Sequence, residues 1–96
     1  MRTAYVVSYD IADPSRWRKV WRILRGWGDA VQLSVFRCDL NARELIELQA
    51  ALSGVIRHRQ DQVLVITLGP AETSGRKAIA SIGRTYEEPT QVALVL

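Results

Sequence analysis

The sequence predicts an α+β sandwich, an antiparallel sheet with two helices on one face, formed by one domain over residues 1–96. Three observations carry this reading. Residues 4–11 form a nearly continuous apolar run, as a strand buried on both faces does. Two capped helical patterns follow it, separated by an alternating segment. A second apolar run at residues 63–68 closes on Gly69-Pro70.

A chain of 96 residues builds one modest core, which excludes a second domain. With 48% apolar and 24% charged residues the composition is that of a globular protein, not a disordered one. The N-terminus runs straight into a short apolar segment, so neither a signal peptide nor a membrane span is expected, and a cytoplasmic location follows. Cys38 stands alone, which rules out an intrachain disulfide and a multi-cysteine zinc site.

The first strand, Ala4 to Ile11, ends on Asp10 and Ile11. Asp13 then offers a helix cap and Pro14 a first helical residue, and the helix runs from about 14 to 26, where Gly26-Trp27-Gly28 ends it. Trp17, Val20, Trp21, Leu24 and Trp27 recur at three- and four-residue steps and face the core. On the opposite side, Arg18, Arg22 and Arg25 fall within about 60° of one another at about 100° per residue, a solvent-facing stripe. Arg16 instead projects on the sheet side, near the end of the first strand.

The net charge of +3 is too small to announce nucleic-acid binding, and placement is more telling. Arg16, Arg18, Lys19, Arg22 and Arg25 lie within ten positions, with no acid between Asp13 and Asp29. Guanidinium groups bind phosphate oxygens bidentately, so this face suits a nucleic-acid backbone, with a merely solvated helix face as the rival reading.

Residues 31–40 alternate with a slip, because Val31, Leu33 and Val35 share one parity and Phe36, Cys38 and Leu40 the other. A break near Ser34 to Phe36 follows, in one bulged strand or between two short ones. Asn41 with Glu44 three positions on opens a second helix at about 42–56, with Leu45, Leu48, Leu52 and Val55 at helical spacing. Residues 57–62 form a polar connection to the strand at 63–68. Beyond it, a short strand at Ala80 to Gly83 and a terminal strand at Val92 to Leu96 are expected. An unpaired terminal strand is an aggregation hazard, and pairing with a second subunit removes it. The element order suggests the ferredoxin-like arrangement.

Asp10 lies at the carboxyl end of a central strand, where ligand and metal sites collect. One carboxylate with ordered waters is a plausible Mg²⁺ ligand, and a dimer axis would double it. The alternative is that Asp10 accepts backbone amides or pairs with Arg16. His58 has no partner for nucleophilic catalysis, Cys38 reads as a small buried apolar residue, and no glycine-rich phosphate loop occurs.

The run Tyr5-Val6-Val7-Ser8-Tyr9-Asp10-Ile11, then Arg16, Arg18 and Val20, then Gly28-x-x-Val31-Gln32-x-Ser34-Val35-Phe36, then Leu68-Gly69-Pro70, resembles the CRISPR-associated protein 2 family over nearly the whole chain. Residues 71–90 match poorly. The resemblance implies a homodimer in which each C-terminal strand completes the partner's sheet. It also implies a role in spacer acquisition, holding duplex DNA and bridging the CRISPR-associated protein 1 integrase. Metal-dependent endonuclease activity on RNA or DNA is a further implication, with Asp10 catalytic and holding Mg²⁺ or Mn²⁺. The same resemblance implies phosphate binding by Arg16 and Arg18 and makes Ser34 and Phe36 site-shaping residues. Ala30 stands where a basic residue is common, which removes one cation from the nuclease reading. Two other readings are a stand-alone toxin-type endoribonuclease of this fold, acting on single-stranded RNA, and a regulatory module that binds a small ligand.

Overall fold

The structure, a computed structural model, describes residues 1–87. Its elements are β1 (Thr3–Asp10), α1 (Pro14–Arg25), β2 (Asp29–Gln32), β3 (Val35–Leu40), α2 (Ala42–Ser53) and β4 (Gln62–Pro70), followed by a short 3₁₀ turn at Ser74–Lys77. The strands form one sheet in the order β2-β3-β1-β4, antiparallel at every pairing. β1 is therefore central, as its continuous apolar character predicts.

Alternation along β1 sorts its side chains between two faces. Tyr5, Val7 and Tyr9 point to the helices and enter one core with Phe36, Cys38 and Leu40 of β3, Val20 and Leu24 of α1, and Leu48 and Leu52 of α2. Trp17, Trp21 and Trp27 pack against that core at its margin and keep part of their surface exposed. The opposite face of β1 carries Val6, Ser8 and Asp10, beside Leu64 and Ile66 of β4, whose side chains are exposed.

Both helices begin where the capping residues fall. The Asp13 carboxylate accepts the Arg16 amide at 2.9 Å, and Asn41 and Glu44 form a reciprocal capping box. α2 stops at Ser53, three residues short of the predicted end, because Gly54 caps it. Val55 and Ile56 still pack on the core from the following turn.

The parity slip in residues 31–40 resolves into two strands. Leu33 and Ser34 form a tight turn between β2 and β3, and the register shifts between Ala30 and Gln32, which leaves Val31 as the extra residue. The expected strand at 80–83 does not form. Ile82 is fully exposed there and Gly83 adopts φ +94°, so that segment has neither a buried side chain nor a strand-compatible backbone. The strand expected at Val92 to Leu96 lies outside the described residues.

At the far end of the open sheet face the 3₁₀ turn folds back on β1. A Cβ at Gly75 would meet the Gly69 carbonyl oxygen at 2.6 Å and the Ala4 methyl at 2.8 Å, so only glycine allows this approach.

Candidate functional site

Asp10 is the last residue of β1, opposite Gln62 of β4, and its side chain is exposed. Among the described residues nothing donates a hydrogen bond to its carboxylate and no cation pairs with it. The alternative in which Asp10 pairs with Arg16 or accepts backbone amides is thus not what the fold adopts. Neighbouring segments close around this strand end from both sides.

On one side stands the turn between β2 and β3. The Tyr9 amide donates to the Ser34 carbonyl oxygen at 3.0 Å, the Tyr9 hydroxyl to the Leu33 carbonyl oxygen at 3.1 Å, and Trp17 Nε1 to Ser34 Oγ at 3.0 Å. Ser34 thus ties the turn to both β1 and α1. Phe36 acts from inside: it is 1% exposed and its ring lies 6.3 Å from those of Tyr9 and Trp21. Burial pushes the Tyr9 phenol up to about 12, so it stays a neutral donor at physiological pH.

On the other side stands Asp61, just before β4. Its Oδ1 accepts the Ala12 amide at 2.9 Å and Arg16 Nη2 at 3.2 Å; its Oδ2 accepts Arg16 Nε and the Arg57 amide, both at 2.8 Å. The side chain of Asp61 is 0% exposed and that of Arg16 15%, and Arg16 also donates to Gln60 Oε1 at 3.1 Å. Arg16, expected as a phosphate ligand, places its Nε and Nη2 on Asp61 and Gln60. Sequence reading missed Asp61, although it is the only acid between Glu47 and Glu72 and stands among Arg57, His58 and Arg59.

The Arg16 guanidinium, with the Arg57 and Ala12 amides, holds the Asp61 carboxyl well below the usual carboxylate range, against the opposing effect of burial. The ionised form therefore stabilises the fold at any pH above the unfolded-state value near 4, and that contribution drains away as the pH falls further. Between about pH 5 and about pH 2.5 the thermal midpoint of the wild type is expected to fall more steeply than that of Asp61→Asn. Parallel curves in a calorimetric pH series would contradict this.

The arginine stripe forms as predicted. Arg18, Lys19, Arg22 and Arg25 are exposed along α1, and no ion pair among the described residues holds Arg18 or Arg22. The Arg25 guanidinium carbon lies 5.2 Å from the centre of the Trp21 ring, which orders that cation without neutralising it. This face has the charge and the donors for a phosphate backbone.

Two other reactive residue types lie outside the site. Burial, reinforced by Asp39 and Asp29, pushes the Cys38 thiol up to about 12, and the side chain is fully buried. His58, expected to lack a serine neighbour, places Nε2 3.0 Å from the Ser53 carbonyl oxygen and 3.3 Å from Ser53 Oγ, at the exposed end of α2. Among the described residues no cluster of three or more His, Cys, Asp or Glu could hold a metal ion.

The order of elements and of strands defines a ferredoxin-like α+β protein that presents a carboxylate at the end of its central strand and arginines along its first helix. The family model for CRISPR associated protein Cas2 matches residues 2–74, and the chain belongs to the Cas2 family. A relative from Geobacter sulfurreducens, named CRISPR-associated endoribonuclease Cas2, is 38% identical over 96 residues and is covered along 100% of both chains. One from Rhodospirillum rubrum, CRISPR-associated endoribonuclease Cas2 1, is 43% identical over 93 residues, 97% of this chain and 90% of its own. The crystal structure of Streptococcus pyogenes Cas2 matches with a TM-score of 0.72 and 26% identity over 83% of this chain and 99% of its own. A hypothetical protein from Thermus thermophilus, TT1823, matches with a TM-score of 0.75 and 29% identity over 91% of this chain and 100% of its own.

Proposed function

We propose that this chain acts in the cytoplasm as a single-domain subunit of CRISPR spacer acquisition. In this reading a homodimer holds duplex DNA against the arginine face of α1 and bridges the integrase that inserts the spacer. The observation that carries it is the row Arg18, Arg22 and Arg25, exposed and without an acidic neighbour on its helix, in a chain of the Cas2 family. Leu64 and Ile66, 48% and 47% exposed on the sheet face away from the helices, support pairing with a second copy through that face. The C-terminal strand would complete the partner's sheet. No helix among the described residues is long and apolar enough to cross a membrane.

A second activity, metal-dependent cleavage of RNA or DNA, is favoured by the exposed Asp10 carboxylate, which no described residue pairs with, and by the endoribonuclease names of the relatives. The residue fits Mg²⁺ or Mn²⁺: it is exposed, it ends a central strand, and Mg²⁺ commonly takes one or two carboxylates while keeping its waters. Asp10 and its symmetry mate would hold the ion. When bound, the ion supplies charge neutralisation at the phosphate and a more acidic water. The chain's own part is to present Asp10 on a rigid strand end, to hold the Ser34 turn beside it, and to bind flanking phosphates with arginines. A toxin-type endoribonuclease would require Asp10 and need no integrase.

The test pairs cleavage with binding. Labelled duplex DNA and single-stranded RNA are incubated with Mg²⁺ and wild type, Asp10→Asn, or the Arg18→Ala/Arg22→Ala double variant. Asp10→Asn is expected to lose cleavage by a factor of about 100 or more and to bind DNA as the wild type does. The arginine variant is expected to flatten the dependence of log K on log salt by about 3.6, for two lost phosphate contacts on each subunit of the dimer. Unchanged salt dependence would sink the DNA-holding role. Equal cleavage by wild type and Asp10→Asn would sink the nuclease.

A further inference from the structure

We propose that Asp61 is a positioning residue for Asp10, and that Arg16 serves as its brace and not as a phosphate ligand. The inference rests on the reading of Asp10 as a metal-holding carboxylate. Asp10 leads directly into the loop Ile11–Asp13, and the described contact from the β4 side to that loop is the Asp61 bond to the Ala12 amide, 2.9 Å long. The same carboxylate holds the first turn of α1 through Arg16 and the end of the α2–β4 connection through the Arg57 amide. Three segments therefore meet on one fully buried side chain.

All the strong acceptor positions of that carboxylate are used, and they alternate between its oxygens. Only a planar, bidentate partner fits such an arrangement, which is why an arginine stands there and a lysine would not replace it. Arg16, with its charge matched, three of its five N–H groups bonded and only 15% of its side chain exposed, is spent mainly on Asp61. An amide in place of the carboxylate keeps the shape but turns one acceptor into a donor facing the Arg16 guanidinium and the Ala12 or Arg57 N–H. The loop then loses its anchor, and Asp10 loses its support on that side, while β1 from Thr3 to Ser8, paired with both β3 and β4, keeps its place.

Asp61→Asn and Arg16→Gln are compared with wild type and Asp10→Asn, each well below its thermal midpoint. Mn²⁺ affinity is read by electron paramagnetic resonance, and amide exchange at Ala12 is compared with that at Val7 and Phe36. Asp61→Asn is expected to weaken Mn²⁺ binding about 10-fold. It should also speed exchange of the Ala12 amide by about 10-fold, with Val7 and Phe36 unchanged. Arg16→Gln should show the same pattern more weakly and should leave the salt dependence of DNA binding as in the wild type. If Mn²⁺ affinity is unchanged in Asp61→Asn although lost in Asp10→Asn, positioning is wrong and the Asp10 site stands. Should wild type and Asp10→Asn bind Mn²⁺ equally, the metal reading fails and takes positioning with it. A salt dependence flattened by about 1.8 in Arg16→Gln, one contact on each subunit, would make Arg16 a phosphate contact and overturn the brace. If Asp61→Asn does not fold, Arg16→Gln decides on the same readouts.

Discussion

Replacing Gly28 by alanine is expected to lower the thermal midpoint by about 10–20 °C, the effect of about 3 kcal/mol on a domain of this size. Gly28 follows α1, donates its amide to the Leu24 carbonyl oxygen at 2.9 Å, and enters β2 one residue later. A Cβ there would fall on the carbonyl oxygen of Arg37 and stand 2.6 Å from Cys38 Sγ. Neither neighbour can retreat. Arg37 and Cys38 lie in β3, whose register with β1 is fixed by Val6 and Tyr5, and Cys38 is packed in the core. Gly54→Ala is the matched control, because its Cβ would meet nothing closer than 3.6 Å. That variant is expected to be neutral or more stable by about 0.5 kcal/mol, through a less mobile unfolded chain. Thermal melts of both variants check the pair, and similar midpoints for Gly28→Ala and wild type would show that β3 can yield.

Phe36→Ala is expected to cost about 3–5 kcal/mol in urea unfolding. The ring is among the largest fully buried side chains and touches Tyr9 of β1 and Trp21 of α1, so its loss opens a cavity where the sheet meets the helix. Relaxation is restricted, because Phe36 pairs with Val7 on one side and Ala30 on the other and its backbone cannot move inward. Phe36→Leu should recover more than half of the loss. A cost below about 1 kcal/mol for alanine would mean that the tryptophans of α1 can collapse into the space. Either variant should also loosen the Leu33–Ser34 turn, whose anchor Tyr9 shares that contact.

Much of this arrangement was legible in residues that act locally. The caps at Asp13 and Asn41, the apolar arc of α1, and the central position of β1 follow from spacing and side-chain chemistry alone. The parity slip after Leu33 located a break correctly but left its nature open, since alternation does not distinguish a turn from a bulge; the fold uses both, a turn at Leu33–Ser34 and an extra residue at Val31. The strand expected at 80–83 failed because two apolar residues in a short window carry no information about a partner strand. Asp10 and the arginine stripe were visible as residue types at a strand end and on a helix face. Asp61 was not, because its meaning depends on Arg16, 45 residues earlier. Local pattern brought Arg16 toward the sheet side but could not supply the acid waiting there.

The Asp61 clamp has a temporal consequence during synthesis. β1, α1 and the β2–β3 hairpin leave the ribosome well before residue 61, so the loop after Asp10 exists for some time with neither its β4 neighbour nor its anchor. Contacts of such long sequence separation form late, after the entropy of closing the intervening chain has been met. A nascent or prematurely terminated chain therefore displays the arginines of α1 before it can display an organised Asp10. Affinity for polyanions would precede any capacity for metal-assisted chemistry, and only the finished sheet would join the two.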